Sequence, residues 1–143
     1  MLKNIDPLLN ADLLQVLAAM GHGDDLALVD RNFPAAANAR RLIRLDGTDI
    51  IKAGRAILSV YPLDSFVDHP VKRMQMVGKP DEIPSVQQDF QKVIDAAEGR
   101  SWPMGSLERF AFYEAARQAF AVVATSESRP YGCFLLKKGV IFD

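Results

Sequence analysis

Hydrophobic residues along this chain follow two alternating patterns: short apolar runs, and longer stretches in which apolar residues recur at helical spacing. Short apolar runs are typical of strands buried in a sheet, and recurrence every three or four positions is typical of amphipathic helices. The runs predict strands at 26–29, 42–45, 121–125 and 134–136, with a further candidate at 74–77. The helical spacing predicts helices at 11–20, 48–60, 84–97 and 107–120, with a loop at 99–105.

Capping residues support several of these boundaries. Asn10 and Thr48 can accept hydrogen bonds at the start of a helix, and Pro84 suits a first helical turn. Gly21 and Gly99 follow helices and can end them. The helices and strands are therefore predicted from start and stop signals as well as from periodicity.

Strands that alternate with helices indicate an α/β layered fold around a largely parallel sheet. Ligands of such sheets bind beyond the carboxyl ends of the strands, which makes Asp30 and Glu127 candidate site residues. Tyr131 instead precedes its strand. We expect it to reach the same edge only if the last strand is antiparallel or if a neighbouring subunit supplies it.

The composition narrows the class of protein. A length of 143 residues suits one domain with one core, so we expect a single domain over residues 1–143. A net charge of -1 favours neither nucleic acid nor an acidic membrane surface as a partner. Cys133 is the only cysteine, so it cannot form an intramolecular disulfide. The chain has no bilayer-length apolar run, and no signal-peptide core follows Met1, so we expect a cytoplasmic protein.

Two segments carry the candidate chemistry. His22 lies between two glycines just before a predicted strand that ends at Asp30, and Tyr131-Gly132 opens another strand. Histidine titrates near neutrality and tyrosine offers a hydroxyl, so the set can transfer protons on a polar neutral ligand without a cofactor. The alternatives are that His22 only ends a helix and that Tyr131 only packs in the core or at an interface.

Other reactive residues are weaker candidates. Arg109 lies at the start of a predicted helix, where its charge opposes the helix dipole, so it either binds a ligand, forms an ion pair or is a surface arginine. Cys133 is predicted to be a buried thiol, with His22 as its only conceivable catalytic partner. A metal site from His22, Asp24 and Asp30 would lack the second histidine typical of zinc or iron sites, so we predict no metal. The sequence also lacks the glycine-rich and HExxH motifs of nucleotide and zinc sites.

A set of short motifs spans the chain in a fixed order: Pro7-Leu8, Leu13-Leu14, Met20-Gly21-His22-Gly23-Asp24, Asp30 with Phe33-Pro34, Arg109-Phe110-Ala111-Phe112-Tyr113-Glu114, and Tyr131-Gly132 followed by Leu135-Leu136-Lys137-Lys138-Gly139-Val140. This ordered set resembles the RbsD/FucU family, whose members are L-fucose mutarotases and D-ribose pyranases. The resemblance is weaker between about Pro62 and Gly105. Its last two motifs are more similar to the fucose mutarotase branch.

The resemblance implies a three-layer α/β/α fold with a mostly parallel, mixed sheet. It also implies a ring-shaped homo-oligomer, commonly a decamer, with active sites near subunit contacts. His22 matches the family's catalytic histidine. Asp30, Arg109 and the segment Tyr131-Gly132-Cys133 match its sugar-binding positions. The chain departs from the family at Asn32, where a histidine is common, at Cys133, where an asparagine is common, and at Ser126, where a glycine is common.

These features lead to one functional hypothesis and three rivals. We expect an isomerase that interconverts the α and β anomers of a monosaccharide, L-fucose first, by acid/base-catalysed ring opening and closure. His22 would be the principal acid/base, complemented by Tyr131 or a water, while Asp30 and Arg109 hold hydroxyls. The rivals are D-ribose pyranase-type exchange, a non-catalytic monosaccharide-binding protein, and a purely structural ring.

Overall fold

A six-stranded sheet with helices on both faces forms the framework of this protein, and the computed structural model describes all residues 1–143. The helices are α1 (Ala11–Ala19), α2 (Ala35–Asn38), α3 (Ile50–Leu58), α4 (Ser85–Glu98) and α5 (Arg109–Gln118). The strands are β1 (Asp25–Val29), β2 (Leu42–Leu45), β3 (Val71–Met74), β4 (Gly105–Leu107), β5 (Ala121–Thr125) and β6 (Phe134–Lys137).

The strand order is β2-β5-β1-β6-β3-β4. Strand β6 runs antiparallel to both of its neighbours, β1 and β3, while the other pairings are parallel. The start of β6 therefore lies at the edge of the sheet where the other strands end. This antiparallel last strand is the first of the two arrangements predicted to bring Tyr131 to the carboxyl edge.

Alternation along β1 divides the core into two layers. Leu26 and Leu28 pack into a large cluster against α1, α3 and α4, while Ala27 and Val29 pack into a smaller cluster with α2 and α5. All four side chains are fully buried, as expected for a central strand covered on both faces. Burial of each leucine contributes about 2 kcal/mol, so both layers stabilise the sheet. The expected three-layer α/β/α fold with a mixed, mostly parallel sheet is confirmed.

Several predicted boundaries agree with the structure. Asn10 accepts a hydrogen bond from the backbone N–H of Leu13 at 2.9 Å and begins α1. Gly99 ends α4 in the left-handed conformation, with a φ of 65°. The strands predicted at 42–45 and 121–125 have the predicted bounds.

Other predicted boundaries were wrong by a few residues. The cap of α3 is Asp49, not Thr48, because the Asp49 carboxylate accepts from Lys52 N–H at 2.9 Å. The strand predicted at 74–77 lies at Val71–Met74, because Met76 and Lys79 pair around a turn at Gly78.

The segment before α5 also differs from the prediction. Residues 105–107 form the edge strand β4, so α5 begins at Arg109 with Glu108 as its cap. The short helix α2 and strand β4 were not predicted, since neither is long enough to show a period. None of the five helices has the length and hydropathy needed to span a membrane.

Candidate functional site

His22 lies at the amino edge of the sheet, in the turn between α1 and β1. Its Nε2 is 3.2 Å from Oδ1 of Asp64, and its side chain is 46% exposed, whereas that of Asp64 is only 4% exposed. The pKa of the Asp64 carboxyl is lowered, first by the backbone N–H of Phe66, which it accepts at 3.0 Å, and also by His22, against the opposing effect of burial. A charged, held carboxylate therefore orients a half-exposed imidazole.

Close backbone contact holds the Asp64 segment against the end of β6. A Cβ at Gly139 would lie 2.5 Å from the Leu63 carbonyl oxygen and 2.7 Å from the Asp64 Cα, so only glycine fits there. The backbone N–H of Asp64 also donates to the Lys137 carbonyl at 3.1 Å. The segment at 137–139 thus fixes the backbone of Asp64 through both contacts.

Apolar side chains surround His22 on the outer surface. The Phe66 ring lies 5.3 Å from the His22 ring and 6.2 Å from the Phe142 ring, measured between centroids. Phe66, Ile141 and Phe142 are 66%, 76% and 73% exposed. Phe66 and Phe142 therefore form an exposed apolar patch beside the polar acid/base pair, and Ile141 precedes Phe142 in the chain.

Asp30 follows β1 at the opposite, carboxyl edge of the sheet and is only 4% exposed. Its Oδ1 accepts from the backbone N–H groups of Asn32 and Phe33 at 2.9 and 3.1 Å. Its Oδ2 accepts from Gly132 N–H at 3.1 Å and from the Cys133 thiol at 3.4 Å. Burial raises the pKa of Asp30, and these donors oppose that effect. Four donors use the carboxylate's usual acceptor positions, so Asp30 orders the start of β6.

Tyr131 is held at both ends beside Asp30. Its hydroxyl accepts from the backbone N–H of Val77 at 3.3 Å, and its carbonyl accepts from the Gln87 amide at 3.0 Å. Its φ of 63° is left-handed, which costs roughly 1–2 kcal/mol for a residue with a Cβ. The phenol accepts one hydrogen bond from the protein and keeps its own proton to donate.

Arg109 lies near Tyr131 at the same edge. Its Nε is 3.4 Å from the Tyr113 hydroxyl, and its pKa is raised mainly by Tyr113, with a smaller effect from Tyr131. The guanidinium lines a cleft of about 220 Å³ with the turn at 75–78. Arg109 is therefore an exposed cation at the start of α5, beside the Tyr113 hydroxyl and at the same edge as Tyr131.

Cys133 is 2% exposed, and burial raises its pKa well above the usual value, as does the neighbouring Asp30. The prediction of a buried thiol is correct. The suggested pairing of Cys133 with His22 is wrong within one chain, because the two residues lie at opposite edges of the sheet. The thiol instead hydrogen-bonds the Asp30 carboxylate.

The structure divides the predicted site residues into two groups. His22 precedes β1, whereas Asp30, Arg109, Tyr131, Gly132 and Cys133 lie beyond the far end of the sheet. The five residues of β1 alone cover roughly 16 Å at about 3.3 Å per residue. A pyranose ring and its hydrogen bonds cannot join the two groups of one chain.

Glu127, the other sequence candidate at the carboxyl edge, and Trp102, the one tryptophan, both have structural roles. Glu127 is 3% exposed, and its carboxylate accepts from Arg129 Nε at 3.0 Å and from Ile50 N–H at 3.3 Å. Burial would raise the pKa of Glu127, but these donors outweigh it and lower the pKa. Glu127 therefore anchors the start of α3. Trp102 is 8% exposed and donates to the Asp68 carbonyl, so its ring packs in the core.

Sequence reasoning missed two residues that organise these groups. Asp64 is 42 positions from His22, and Gln87 is 44 positions from Tyr131. Such separations leave no local pattern. The one available signal for Gln87 was its place on the apolar face of an amphipathic helix, where an amide is unusual. No three His, Cys, Asp or Glu side chains are grouped so that they could hold a metal ion.

The fold and the two groups define an α/β/α protein with an imidazole–carboxylate pair at one edge of its sheet and a tyrosine–arginine cluster at the other. The sequence profile of the RbsD / FucU transport protein family matches residues 3–141. This chain belongs to the RbsD/FucU family.

Relatives resemble the chain over nearly its whole length. An L-fucose mutarotase of Histophilus somni (strain 2336) is 41% identical over 140 residues, covering 98% of this chain and 97% of the relative. The crystal structure of the fucose mutarotase in complex with L-fucose from Streptococcus pneumoniae is 39% identical with a TM-score of 0.91, covering 99% and 100%. FucU from Bifidobacterium longum is 39% identical with a TM-score of 0.92, covering 98% and 100%.

Proposed function

We propose that this protein is an isomerase that interconverts the α and β anomers of a monosaccharide, with L-fucose as the first candidate. The His22–Asp64 pair is the observation that carries this proposal. A half-exposed imidazole held by a buried carboxylate is suited to accept and return a proton at a bound ligand. Relatives named L-fucose mutarotase and a fucose mutarotase solved in complex with L-fucose support the choice of sugar.

The chemistry requires two proton transfers. One group removes the proton of the anomeric hydroxyl while another protonates the ring oxygen, so the ring opens to the aldehyde, and reclosure on the other face gives the other anomer. His22 supplies one transfer, and the Tyr131 hydroxyl, or a water bound to it, supplies the other. Acid/base assistance of this kind contributes about 10²–10⁴-fold. The reaction consumes no redox or phosphate group, so we propose no cofactor.

We further propose that one active site takes His22 from one copy of the chain and Tyr131 from a neighbouring copy. Support comes from the separation of the two groups across the sheet and from exposed apolar residues beside each. Phe66 adjoins His22 and contacts Phe142. At the other edge Val77, whose N–H binds the Tyr131 hydroxyl, is 62% exposed, and Phe110, beside Tyr113, is 67% exposed. A contact between the amino edge of one copy and the carboxyl edge of the next is heterologous. When the same rotation relates successive copies and returns to the first, such contacts form a closed ring. We propose a homo-oligomeric ring in the cytoplasm, with a decamer as the expected size.

The remaining residues have distinct proposed roles. Arg109 is an exposed cation whose Nε donates to the Tyr113 hydroxyl at the carboxyl edge, and it would donate to sugar hydroxyls. Asp30 accepts from Gly132 and Cys133, so it would shape the sugar pocket through the backbone at 131–133 rather than by a free oxygen. This chain has Cys133 where the family commonly has an asparagine. Because the Cys133 side chain points to Asp30, we expect this difference to change the sugar preference only modestly.

Proton NMR of anomer exchange by saturation difference tests the proposal, with L-fucose, D-ribose, D-galactose and L-rhamnose compared under one condition. Faster exchange of L-fucose that is lost in His22→Gln supports the proposal. Faster exchange of D-ribose alone would keep the chemistry and change the substrate. Binding without faster exchange would favour a non-catalytic sugar-binding protein, and full activity in His22→Gln would remove the histidine from the mechanism.

A further inference from the structure

Gln87 is the one polar residue of α4 that is fully buried, with 0% exposure. A buried amide is costly unless all of its polar atoms are paired. Its Nε2 donates to the carbonyls of Met74 at 2.7 Å and Tyr131 at 3.0 Å. Its Oε1 accepts from Arg73 Nη1 at 3.3 Å. Carbonyls only accept and a guanidinium only donates, so the orientation of the amide is fixed by its surroundings.

These contacts reach both ends of Tyr131. The amide binds the Tyr131 carbonyl directly. It also donates to the carbonyl of Met74, which directly precedes the turn at 75–78. Within that turn, the Val77 N–H donates to the Tyr131 hydroxyl. One side chain therefore ties the tyrosine backbone to the segment that holds the tyrosine hydroxyl.

Arg73 completes the arrangement from the other side. It is 7% exposed, and its Nη2 donates to the Pro80 carbonyl at 3.1 Å, beyond the same turn. Arg73 and Gln87 thus hold the turn at 75–80 from within the protein. A left-handed tyrosine is unfavourable by itself, so surrounding contacts must maintain it.

We infer that Gln87 is a positioning residue for the reaction: it holds Tyr131 in its left-handed conformation and aligns the hydroxyl through the Met74–Val77 segment. The inference rests on the proposed function, since it assigns Gln87 a role through the tyrosine that transfers a proton. Gln87 itself touches neither the sugar nor the reacting atoms.

The chain offers a matched control one helical turn away. Gln91 also lies on α4, and its amide donates to the Trp102 carbonyl at 2.8 Å and accepts from Met104 N–H at 2.9 Å. Gln91→Met removes a similar set of contacts from the same helix but at a segment remote from Tyr131. Gln87→Met removes the amide at nearly constant side-chain volume.

We expect Gln87→Met to lower kcat for anomer exchange about tenfold to a hundredfold, as misplacement of a reacting group does, with little change in KM. Gln91→Met should keep wild-type kcat. In a Tyr131→Phe background, Gln87→Met should add no further loss, because the two changes remove the same function. Independent losses that multiply in the double variant would overturn the inference and leave Gln87 a purely structural residue.

A second measurement does not depend on activity. The chain has 3 tyrosines, so 13C NMR of ring-labelled tyrosine resolves few signals, and Tyr131→Phe assigns that of Tyr131. Gln87→Met should shift or broaden this signal and leave those of Tyr61 and Tyr113 in place. An unchanged Tyr131 signal would overturn the inference.

These readouts separate the two hypotheses. If the wild-type protein accelerates exchange of no sugar, the proposed function fails, and the tyrosine spectrum alone still decides whether Gln87 positions Tyr131. If Gln87→Met does not fold, Arg73→Lys replaces it: this variant keeps the charge but loses the guanidinium that binds Gln87 through Nη1 and the Pro80 carbonyl through Nη2. It should shift the Tyr131 signal in the same direction, and no shift would overturn the inference.

Discussion

Mixing two inactive variants tests whether the active site is shared between copies of the chain. His22→Gln removes the imidazole at the amino edge, and Tyr131→Phe removes the hydroxyl at the carboxyl edge. Each variant alone should lose about 10²–10⁴-fold of its exchange activity. The His22 side chain is 46% exposed, and His22→Gln keeps an N–H that can face the Asp64 carboxylate, so it should lower the free energy of unfolding by no more than about 1 kcal/mol.

The expected recovery follows from the geometry. A site that takes His22 from one copy and Tyr131 from the next is intact when the first copy is Tyr131→Phe and the second is His22→Gln. In rings assembled at random from equal amounts, this occurs at about one quarter of the sites, because each condition holds for half of the copies. The mixed sample should therefore regain about a quarter of wild-type activity.

The assay is anomer exchange of L-fucose by NMR after the two variants are unfolded together and refolded. A matched control mixes the wild type with the double variant that carries both substitutions. A shared site retains about one quarter of the activity in this control, whereas a site within one chain retains about one half. No recovery in the first mixture together with one half in the second would refute the shared site.

Three further predictions concern the groups that shape the two half-sites. Asp64→Asn should lower the free energy of unfolding by about 1–3 kcal/mol near pH 7, because a buried acceptor of the Phe66 N–H is weakened. The pKa of Asp64 is lower in the folded state, so its charged carboxylate stabilises the fold above the unfolded-state pKa, and this stabilisation is lost as pH falls through the folded-state pKa. The denaturation curves of the wild type and Asp64→Asn should therefore converge at acidic pH. Gly139→Ala should destabilise the protein by about 1–3 kcal/mol and also reduce activity, because the new methyl would collide with the backbone at 63–64; thermal unfolding checks this, and an unchanged midpoint would contradict it. Cys133 should resist a thiol reagent in the folded protein and react fully only after denaturation, since burial and Asp30 raise its pKa; rapid labelling of the native protein would show that the thiol is exposed.

Local sequence signals predicted much of the framework. Hydrophobic runs marked the strands of the central sheet, and Asn10 and Gly99 marked helix ends correctly. The same signals failed where elements were short or shifted. The edge strand at Gly105–Leu107 has only three residues and was not predicted. Strand β3 lies at Val71–Met74, earlier than predicted, because the chain turns at Gly78. Whether a short strand forms depends on the strands it pairs with, and the hydrophobic periodicity of its own residues does not show this.

The sequence by itself determined the types of group available for chemistry and the fold class. His22 between glycines, Asp30 after a strand and the Tyr131-Gly132 pair could all be identified from residue type and position, and the ordered motifs indicated the family. Their partners depend on contacts between distant parts of the chain. Asp64 reaches His22 because β6 brings Lys137 and Gly139 against the segment at 62–64.

Only the tertiary structure decided which groups share a surface. The antiparallel β6 brings Tyr131 beside Asp30, and the same strand carries Lys137 and Lys138 to the edge where His22 lies. The two groups of predicted site residues, His22 at one edge and Asp30 with Tyr131 at the other, are therefore one strand length apart. Residue order already places His22 and Asp30 at opposite ends of β1. It cannot show that Tyr131 joins Asp30, because the direction in which β6 pairs is set by packing over the whole sheet.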